Sequence, residues 1–433
     1  MHHKFKAVLL IIILLIGTEA FANTPDKLPD SLIFLPVNSN AILVEKSSQQ
    51  VFLYSNTGTE ILNNLQFLCS TGEAYGDKEK SGDKKTPEGV YFIKDRYEDN
   101  ELSAIYGKKA FPLDYPNFMD KVAGKSGNNI WLHGTNKVLK AMDSNGCVAM
   151  EDTNILSISD YIAINDTPVI INDTISMTDF HDISTQSNKI NGWFKGWVTA
   201  LNSGSYHDYL DLYDPSYLPK IIWWKKWYDI RNKTKKNIGN ISVVVDNKGV
   251  YKQGGVYVIL FDLGLKLLEQ KNSIGLRKLF VVERGNSYRI IGDIYQSFKK
   301  ESKNSKSSLV FWAENLVENV EQGPDIKDVI KDWLKAWTEK EMNIYASYYS
   351  KDFSSDGLNK KEWVERKTNL SKRYGYINVS ASDFKIIKGR EKIVVKFLQD
   401  YKSSGFSATG IKTLIFVNED NGWKIYHESW KKK

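Results

Sequence analysis

The chain has 433 residues, 59 Lys plus Arg against 52 Asp plus Glu, a net charge of +7, and a globular balance of 42% hydrophobic and 26% charged residues. That length excludes a single hydrophobic core and sets a prior of two to four domains. Lys is scattered in solvated runs such as Lys299-Lys300 and Lys431–Lys433; this fits acidic surroundings better than a nucleic-acid groove, and no nucleic-acid motif appears.

Residues 1–22, MHHKFKAVLLIIILLIGTEAFA, open with Lys4 and Lys6, continue through an apolar run from Ala7 to Ile16, and end on Ala20-Phe21-Ala22. A basic start, a short apolar run and a small-x-small site predict a secretory signal peptide. The run is too short to span a bilayer comfortably, and no later stretch reaches that length; the other reading is an uncleaved anchor. The expectation is an exported, soluble protein with no transmembrane segment after cleavage.

Residues 41–175 predict a mostly-β domain. AILVEKSSQQVFLYS alternates and turns, LQFLCSTG runs as an apolar strand into a glycine turn, KKTPEGVYFIKDRYE places a turn before an alternating strand, and YIAINDTPVIIND adds two strands around Pro168. One helix is predicted after Cys147, in MEDTNILSISDYI. Phe111-Pro112-Leu113-Asp114-Tyr115-Pro116-Asn117 is read as a lid over a cleft. Residues 176–188, SMTDFHDISTQSN, are polar and aperiodic and predict a linker.

The remainder contains a repeat. GWFKGWVTALNSGSYHDYLDLY is answered by DWLKAWTEKEMNIYASYYS, with Trp193 and Trp197 set against Trp333 and Trp337 at a shift of 140. KKWYDIRNKTKK is answered by KEWVERKTNLSK through Trp227 and Trp363. KLFVVERGNSYRIIGDIY is answered by TLIFVNEDNGWKIYHESW, with Tyr288 against Trp423 and Ile290 against Ile425 at a shift of 135. Two α+β modules are expected, at 189–300 and 326–433, with their boundary inside 299–325. The tryptophan pairs are read as core. The basic aromatic stretch 221–236 is read as structural, with glycan binding as the alternative. The order of elements resembles the nuclear transport factor 2-like (NTF2-like) superfamily, which implies helices packed on a strongly curved sheet.

The chemistry-bearing residues lie in NIWLHGTNKVLKAMDSNGCVAM, residues 129–150. Cys147 is one of two cysteines in the chain, with Cys69, and the surroundings of Cys147 argue against pairing the two as a disulfide. A thiol becomes a nucleophile when an imidazole takes its proton, and His133 is the candidate base. Gly146 permits close approach to the backbone, and the N–H groups of Gly146 and Cys147 are expected to face a developing oxyanion. Ser144-Asn145-Gly146 predicts a tight loop before Cys147, so Ser144 either lines the site or serves the turn. Gly134 and Thr135 turn the chain away after His133, with Thr135 supporting that loop. No metal-ligand spacing is present, and no cofactor is called for.

These motifs resemble the L,D-transpeptidase catalytic-domain family. His133-Gly134-Thr135, Ser144-Asn145-Gly146-Cys147, Thr86-Pro87-Glu88-Gly89-Val90-Tyr91 and Ser70-Thr71-Gly72 stand in the family's order over residues 41–175. One departure is Ala149, where most members carry Arg two residues after the nucleophile. A subgroup with a Gly-Asp-x-x-x-Pro-Glu-Gly loop is similar here, through Gly82-Asp83 ahead of Thr86-Pro87-Glu88-Gly89. It includes murein-trimming enzymes, and some relatives that also carry an NTF2-like domain act as L,D-carboxypeptidases that set cell shape.

The resemblance implies a periplasmic, wall-associated enzyme acting on peptidoglycan stem tetrapeptides at the L-centre of diaminopimelate. Cys147 would form a thioester with release of D-Ala, and His133 would donate and accept the proton. Transfer to an amine makes an L,D-transpeptidase, and transfer to water an L,D-carboxypeptidase. The competing expectation is a non-catalytic wall-binding scaffold whose tandem C-terminal modules recruit a protein partner.

Overall fold

The computed structural model describes residues 27–297, 308–322, 325–388, 392–419 and 422–433. The expected signal peptide lies outside them, as does part of the expected boundary segment. The described chain forms two compact units, the second built mainly from residue 309 onward.

In the first unit, β1 (Lys27–Pro29) pairs with β12 (Met177–Asp179), and β2 (Leu32–Phe34) leads into β3 (Asn40–Glu45), β4 (Gln50–Asn56) and β5 (Ile61–Leu68). With β6 (Gly89–Phe92) and β11 (Pro168–Asn172) these last three make a sheet in the order β5-β4-β3-β11-β6. A second small sheet, β10-β9-β8-β7, uses β7 (Tyr97–Glu98), β8 (Lys109–Pro112), β9 (Trp131–His133) and β10 (Val148–Ala149). Helices α1 (Phe118–Val122) and α2 (Asp152–Ser159) complete the domain.

β3, β6 and β11 read as near-continuous apolar runs because that part of the larger sheet is buried on both faces. Ile42, Val44, Val51, Leu53, Tyr91 and Val169 point into the core that also holds Phe111, Leu132 and Val148. The alternate residues Ala41, Leu43, Tyr54, Val90, Phe92 and Ile170 enter a second core with Leu32, Tyr251, Val258, Leu260 and Phe280. That second core belongs jointly to this domain and to the module that follows.

Residues 176–188 are not a linker. They form β12 and the start of α3 (Phe180–Asn202), whose Ile183, Ser187 and Ile190 are buried on one face. The apolar spacing there is thin, because polar residues share the helix, and the period is lost to the eye. The first module therefore begins about nine residues earlier than 189. It continues with α4 (Tyr206–Leu210), α5 (Trp224–Asn237) and a sheet of β13 (Ile241–Gln253), β14 (Val256–Leu267), β15 (Gln270–Arg284) and β16 (Ser287–Ser297), to whose edge β2 adds in the order β16-β15-β14-β13-β2.

The 111–117 stretch is not a lid. Phe111, Leu113 and Tyr115 are core residues. Asp114 accepts from the Phe92 amide at 2.8 Å and pairs with Lys278 at 2.6 Å. Phe118 follows, packed so tightly on Gly292 that a Cβ there would lie 2.3 Å from its ring. The segment docks the first module onto the catalytic domain.

The second unit holds α6 (Ser308–Gln322), α7 (Ile326–Thr338), α8 (Met342–Ser347), the short strands β17 (Ser354–Ser355) and β18 (Leu358–Asn359), α9 (Lys360–Arg373) and a meander of β19 (Ile377–Lys388), β20 (Lys392–Ser403), β21 (Ser407–Glu419) and β22 (Gly422–Lys432). Asp325 caps α7, and Asn359 and Glu362 form a capping box on α9.

The repeat is real, but its helical register differs from the 140-residue shift. Trp197 Nε1 donates to Tyr213 Oη at 3.4 Å, and Trp333 Nε1 donates to Tyr349 Oη at 3.2 Å. Tyr209 contacts Tyr213 and Tyr345 contacts Tyr349, each pair at 2.6 Å between hydroxyls. Tyr213 bridges Ile290 as Tyr349 bridges Ile425. Trp197 thus answers Trp333, an offset of 136 (333 − 197), continuous with the 135 of the strands. Two tryptophans one turn apart in each copy allowed the sequence comparison to slip by one helical turn. Each cone encloses a buried ion pair, Arg277–Asp293 at 2.6 Å and Lys412–Glu428 at 2.7 Å.

Candidate active site

The candidate site is assembled where β9 and β10 run parallel. Ala149 lies opposite His133, and Val148 opposite Leu132. Successive side chains alternate between faces. Leu132 and Val148 enter the core, while His133 faces Ala149, and Cys147 lies in the bend just before β10, two residues along the chain from Ala149.

His133 is 7% exposed, and its Nδ1 lies 2.5 Å from the Gly134 carbonyl. A carbonyl only accepts, so Nδ1 carries the proton and Nε2 keeps its lone pair. Burial pulls the imidazole below its ordinary range; the Gly134 carbonyl and Asp152 push the other way. The Cys147 thiol is half-exposed and lies 3.5 Å from the Asn129 carbonyl. Desolvation raises its pKa, opposed by the Trp131 amide and by the charge of Lys78. Burial thus favours the neutral form of both groups.

The loop before Cys147 is held by neighbours from three segments. Ser144 Oγ donates to the Cys147 carbonyl at 2.7 Å and accepts from the Gly146 amide at 3.1 Å. This overturns half of the oxyanion expectation: the Gly146 N–H is engaged, and Cys147 supplies the remaining loop amide. Ser-x-Gly turn chemistry was the signal for that bond. Gly146 has φ +123°, and a Cβ on it would meet the Lys85 carbonyl at 2.7 Å. Thr86, fully buried, accepts from the Gly72 amide at 2.8 Å and donates to the Gly146 carbonyl at 3.0 Å. Ser70 exchanges both backbone bonds with Ala149, at 2.8 and 2.9 Å.

Around His133, Gly134 is as confined as Gly146. A Cβ there would lie 2.3 Å from Asp152 Oδ1, which accepts from the Lys108 amide at 2.9 Å. Thr135 is half-buried and its Oγ1 accepts from the Lys137 amide at 3.2 Å, so it shapes its own turn.

Three residues close the site that the motifs did not single out. Tyr106 sets its ring edge-on to His133 at 5.0 Å and lies 4.8 Å from Trp131, and Tyr97 stacks on Trp131 at 5.6 Å. Tyr106 comes from a turn of 3-10 helix that no periodicity marks. Cys69 is buried in the core with its thiol pushed up to about 12, and both cysteines are free.

Residues 39–171 match the YkuD family, the L,D-transpeptidase catalytic domain, and residues 325–429 match the Cds6 C-terminal NTF2-like domain. YafK of Escherichia coli strain K12, which carries the L,D-transpeptidase name, is 28% identical over 123 residues, 28% of this chain and 46% of that protein. The match thus spans about half the length of the curated relatives. Among solved structures, Bd1075 of Bdellovibrio bacteriovorus is 20% identical, with a TM-score of 0.34, over 94% of this chain and 99% of its own. The helical cell shape determining protein Pgp2 from Campylobacter jejuni is 17% identical, with a TM-score of 0.30, over 93% and 95%. The chain carries an L,D-transpeptidase catalytic domain at 39–171 and an NTF2-like domain at 325–429.

Proposed function

We propose that this chain is an exported peptidoglycan acyl transferase of the periplasm, with Cys147 as nucleophile and His133 as proton donor and acceptor. The observation that supports the reading is the β9–β10 register, which sets Ala149, two residues after Cys147, opposite a His133 whose Nδ1 faces the Gly134 carbonyl. His133 Nε2 takes the thiol proton as sulfur attacks the carbonyl on the L-centre of diaminopimelate in a stem tetrapeptide. The Cys147 amide faces the oxyanion. The C–N bond to D-Ala breaks, and His133 returns the proton to the leaving amine. A second stem's side-chain amine then attacks the thioester, His133 takes its proton, and the Cys147 thiol is restored. The 180–297 module, which repeats the hydroxyl, indole and ion-pair contacts of the 325–429 domain, is read as a second NTF2-like copy. Such cross-links set wall organisation and, through it, cell shape.

The test is incubation of the mature protein with disaccharide tetrapeptides, followed by mass spectrometry, beside Cys147→Ala. A dimer with a diaminopimelate–diaminopimelate bond, absent in the variant, is the expected product. Tripeptide alone assigns water as the acceptor and makes the protein an L,D-carboxypeptidase. No Cys147-dependent product overturns the stem-peptide reading in favour of a wall-binding scaffold.

A further inference from the structure

The first module closes the outer edge of its sheet with its own chain, and the second leaves the same edge open. Asn247 in β13 and Asp383 in β19 stand 136 residues apart (383 − 247) and both take a left-handed φ, of 47° and 54°. The two strands therefore correspond residue by residue. In the first module β2 adds to β13 beyond that point, with Phe34 opposite Val250 and Leu32 opposite Tyr251, and it packs on α3 as well. Nearer the start of β13, the side-chain amide of Asn202, the last residue of α3, donates to the Val243 carbonyl at 3.0 Å and accepts from the Val243 amide at 2.6 Å. Between these two closures Lys248 reaches Asn191 Oδ1 and lies over the Phe34 ring at 5.6 Å.

Neither closure recurs in the second module. β19 is the end strand of its sheet. Thr338, the last residue of α7, holds the place of Asn202 and makes no bond to Val379 among the described residues. Ile387 holds the place of Tyr251 and is 62% exposed, where Tyr251 is 2% exposed. A groove of about 490 Å³ runs between α7 and β19, past Leu334, Val379, Ala381 and Phe384. Lys327, Lys331 and Lys335 line its helix side. Lys335 pairs with Glu339 at 4.0 Å; among the described residues no carboxylate pairs with the other two. Edge strands are often guarded by a bulge or a charge alone. That guard is insufficient in this fold, because β13 bends at the equivalent residue and still takes a strand.

We propose that the groove between α7 and β19 is a strand-addition site, which takes an extended segment of a protein partner, antiparallel to β19, with an acidic residue ahead of alternating apolar side chains. The chain contains its own pattern for the occupant in Asp30-Ser31-Leu32-Ile33-Phe34. There the Lys252 amide donates to the Ser31 carbonyl at 2.9 Å, and Asp30 feels the charge of Lys252. The residue at the place of Lys252 in the second copy is again a lysine, Lys388. Main-chain bonds to the open edge give affinity, the groove selects the apolar side chains, and Lys327 and Lys331 favour acidic segments. The proposal goes beyond the acyl-transfer reading and does not depend on it.

The probe is a fluorescein-labelled peptide of residues 28–36, Leu-Pro-Asp-Ser-Leu-Ile-Phe-Leu-Pro, titrated against the mature protein by anisotropy, with hydrogen exchange followed over 377–388. Saturable binding below ~1 mM that slows exchange in 377–388 is expected. Thr338→Asn supplies the amide that closes the first module's edge and weakens binding at least about tenfold, as does Lys327→Glu with Lys331→Glu. Where a variant loses its native melting transition, exchange in the wild type decides: no slowing over 377–388 overturns the proposal. Absence of saturable binding, or an affinity that folded variants leave within about twofold of wild type, overturns it too. A protein that sediments as a dimer, and as a monomer with Thr338→Asn, makes a second copy the occupant and overturns the partner segment. No muropeptide enters the readout, so its failure is distinct from failure of the acyl-transfer assay.

Discussion

Thr86 joins two segments that the sequence places fourteen and sixty residues from it, beside the backbone bonds that Thr71 and Glu73 make with Ser144. Its Oγ1 serves the Gly72 amide and the Gly146 carbonyl at once, at 2.8 and 3.0 Å, in a fully buried position. Thr86→Val keeps the shape and removes both bonds. Each orphaned buried group costs about 1–3 kcal/mol, so the pair costs about 2–6 kcal/mol locally. At about 1.4 kcal/mol per tenfold, the Gly72 amide should exchange with deuterium at least about thirtyfold faster, and up to about 10⁴-fold. Thr86→Ser keeps the hydroxyl and loses one methyl, worth about 1 kcal/mol. The assay is hydrogen exchange by mass spectrometry on peptides covering 70–76 and 142–149, beside Cys147 alkylation. Val should deprotect both peptides and Ser neither. Unchanged protection in Thr86→Val, or equal loss in Thr86→Ser, would falsify the bridging role.

Two further outcomes follow from the same geometry. Gly146→Ala combines a left-handed φ of +123° with a contact of 2.7 Å to the Lys85 carbonyl, so it should abolish Cys147-dependent product while circular dichroism stays native; a variant with wild-type turnover refutes the close approach. His133 titrates below the ordinary 6.5 because burial disfavours its charge. Above that pH both folded and unfolded chains hold it neutral; below it the unfolded chain binds the proton first, so stability should fall as pH drops from about 6.5 through the lowered folded value. Melting temperatures of wild type and His133→Gln should therefore converge on acidification, and parallel curves tell against the assignment.

The chemistry was legible where backbone geometry demands a residue type. Gly146, Gly134 and Gly72 each face an atom that leaves no room for a Cβ, and a short motif records such a constraint directly. The tryptophan–tyrosine–acid sets were legible as a repeat, but Trp193 one turn from Trp197 offered a false register that only the Trp197–Tyr213 bond resolves. What stayed hidden rests on long-range packing. Asp152 and Tyr106 reach the site from a helix start and a single turn, neither of which carries a period. The 111–117 stretch looked like a free lid because aromatic residues at an exposed loop and at a docking face are the same in composition. Phe118 and Asp114 show their purpose only against Gly292 and Lys278.

The two cones solve one problem with opposite distributions of length. Arg277 faces Asp293, a longer base with a shorter acid, while Lys412 faces Glu428, a shorter base with a longer acid. The reach across each cone is conserved although neither residue is. Sixteen residues separate base from acid in both copies. A genetic crossover within that interval would join Arg to Glu, overfilling the cone, or Lys to Asp, leaving a gap between buried charges. Either product carries a mismatched pair that packing cannot absorb. The compensation therefore ties base and acid together within each copy: neither can be exchanged between the copies without the other.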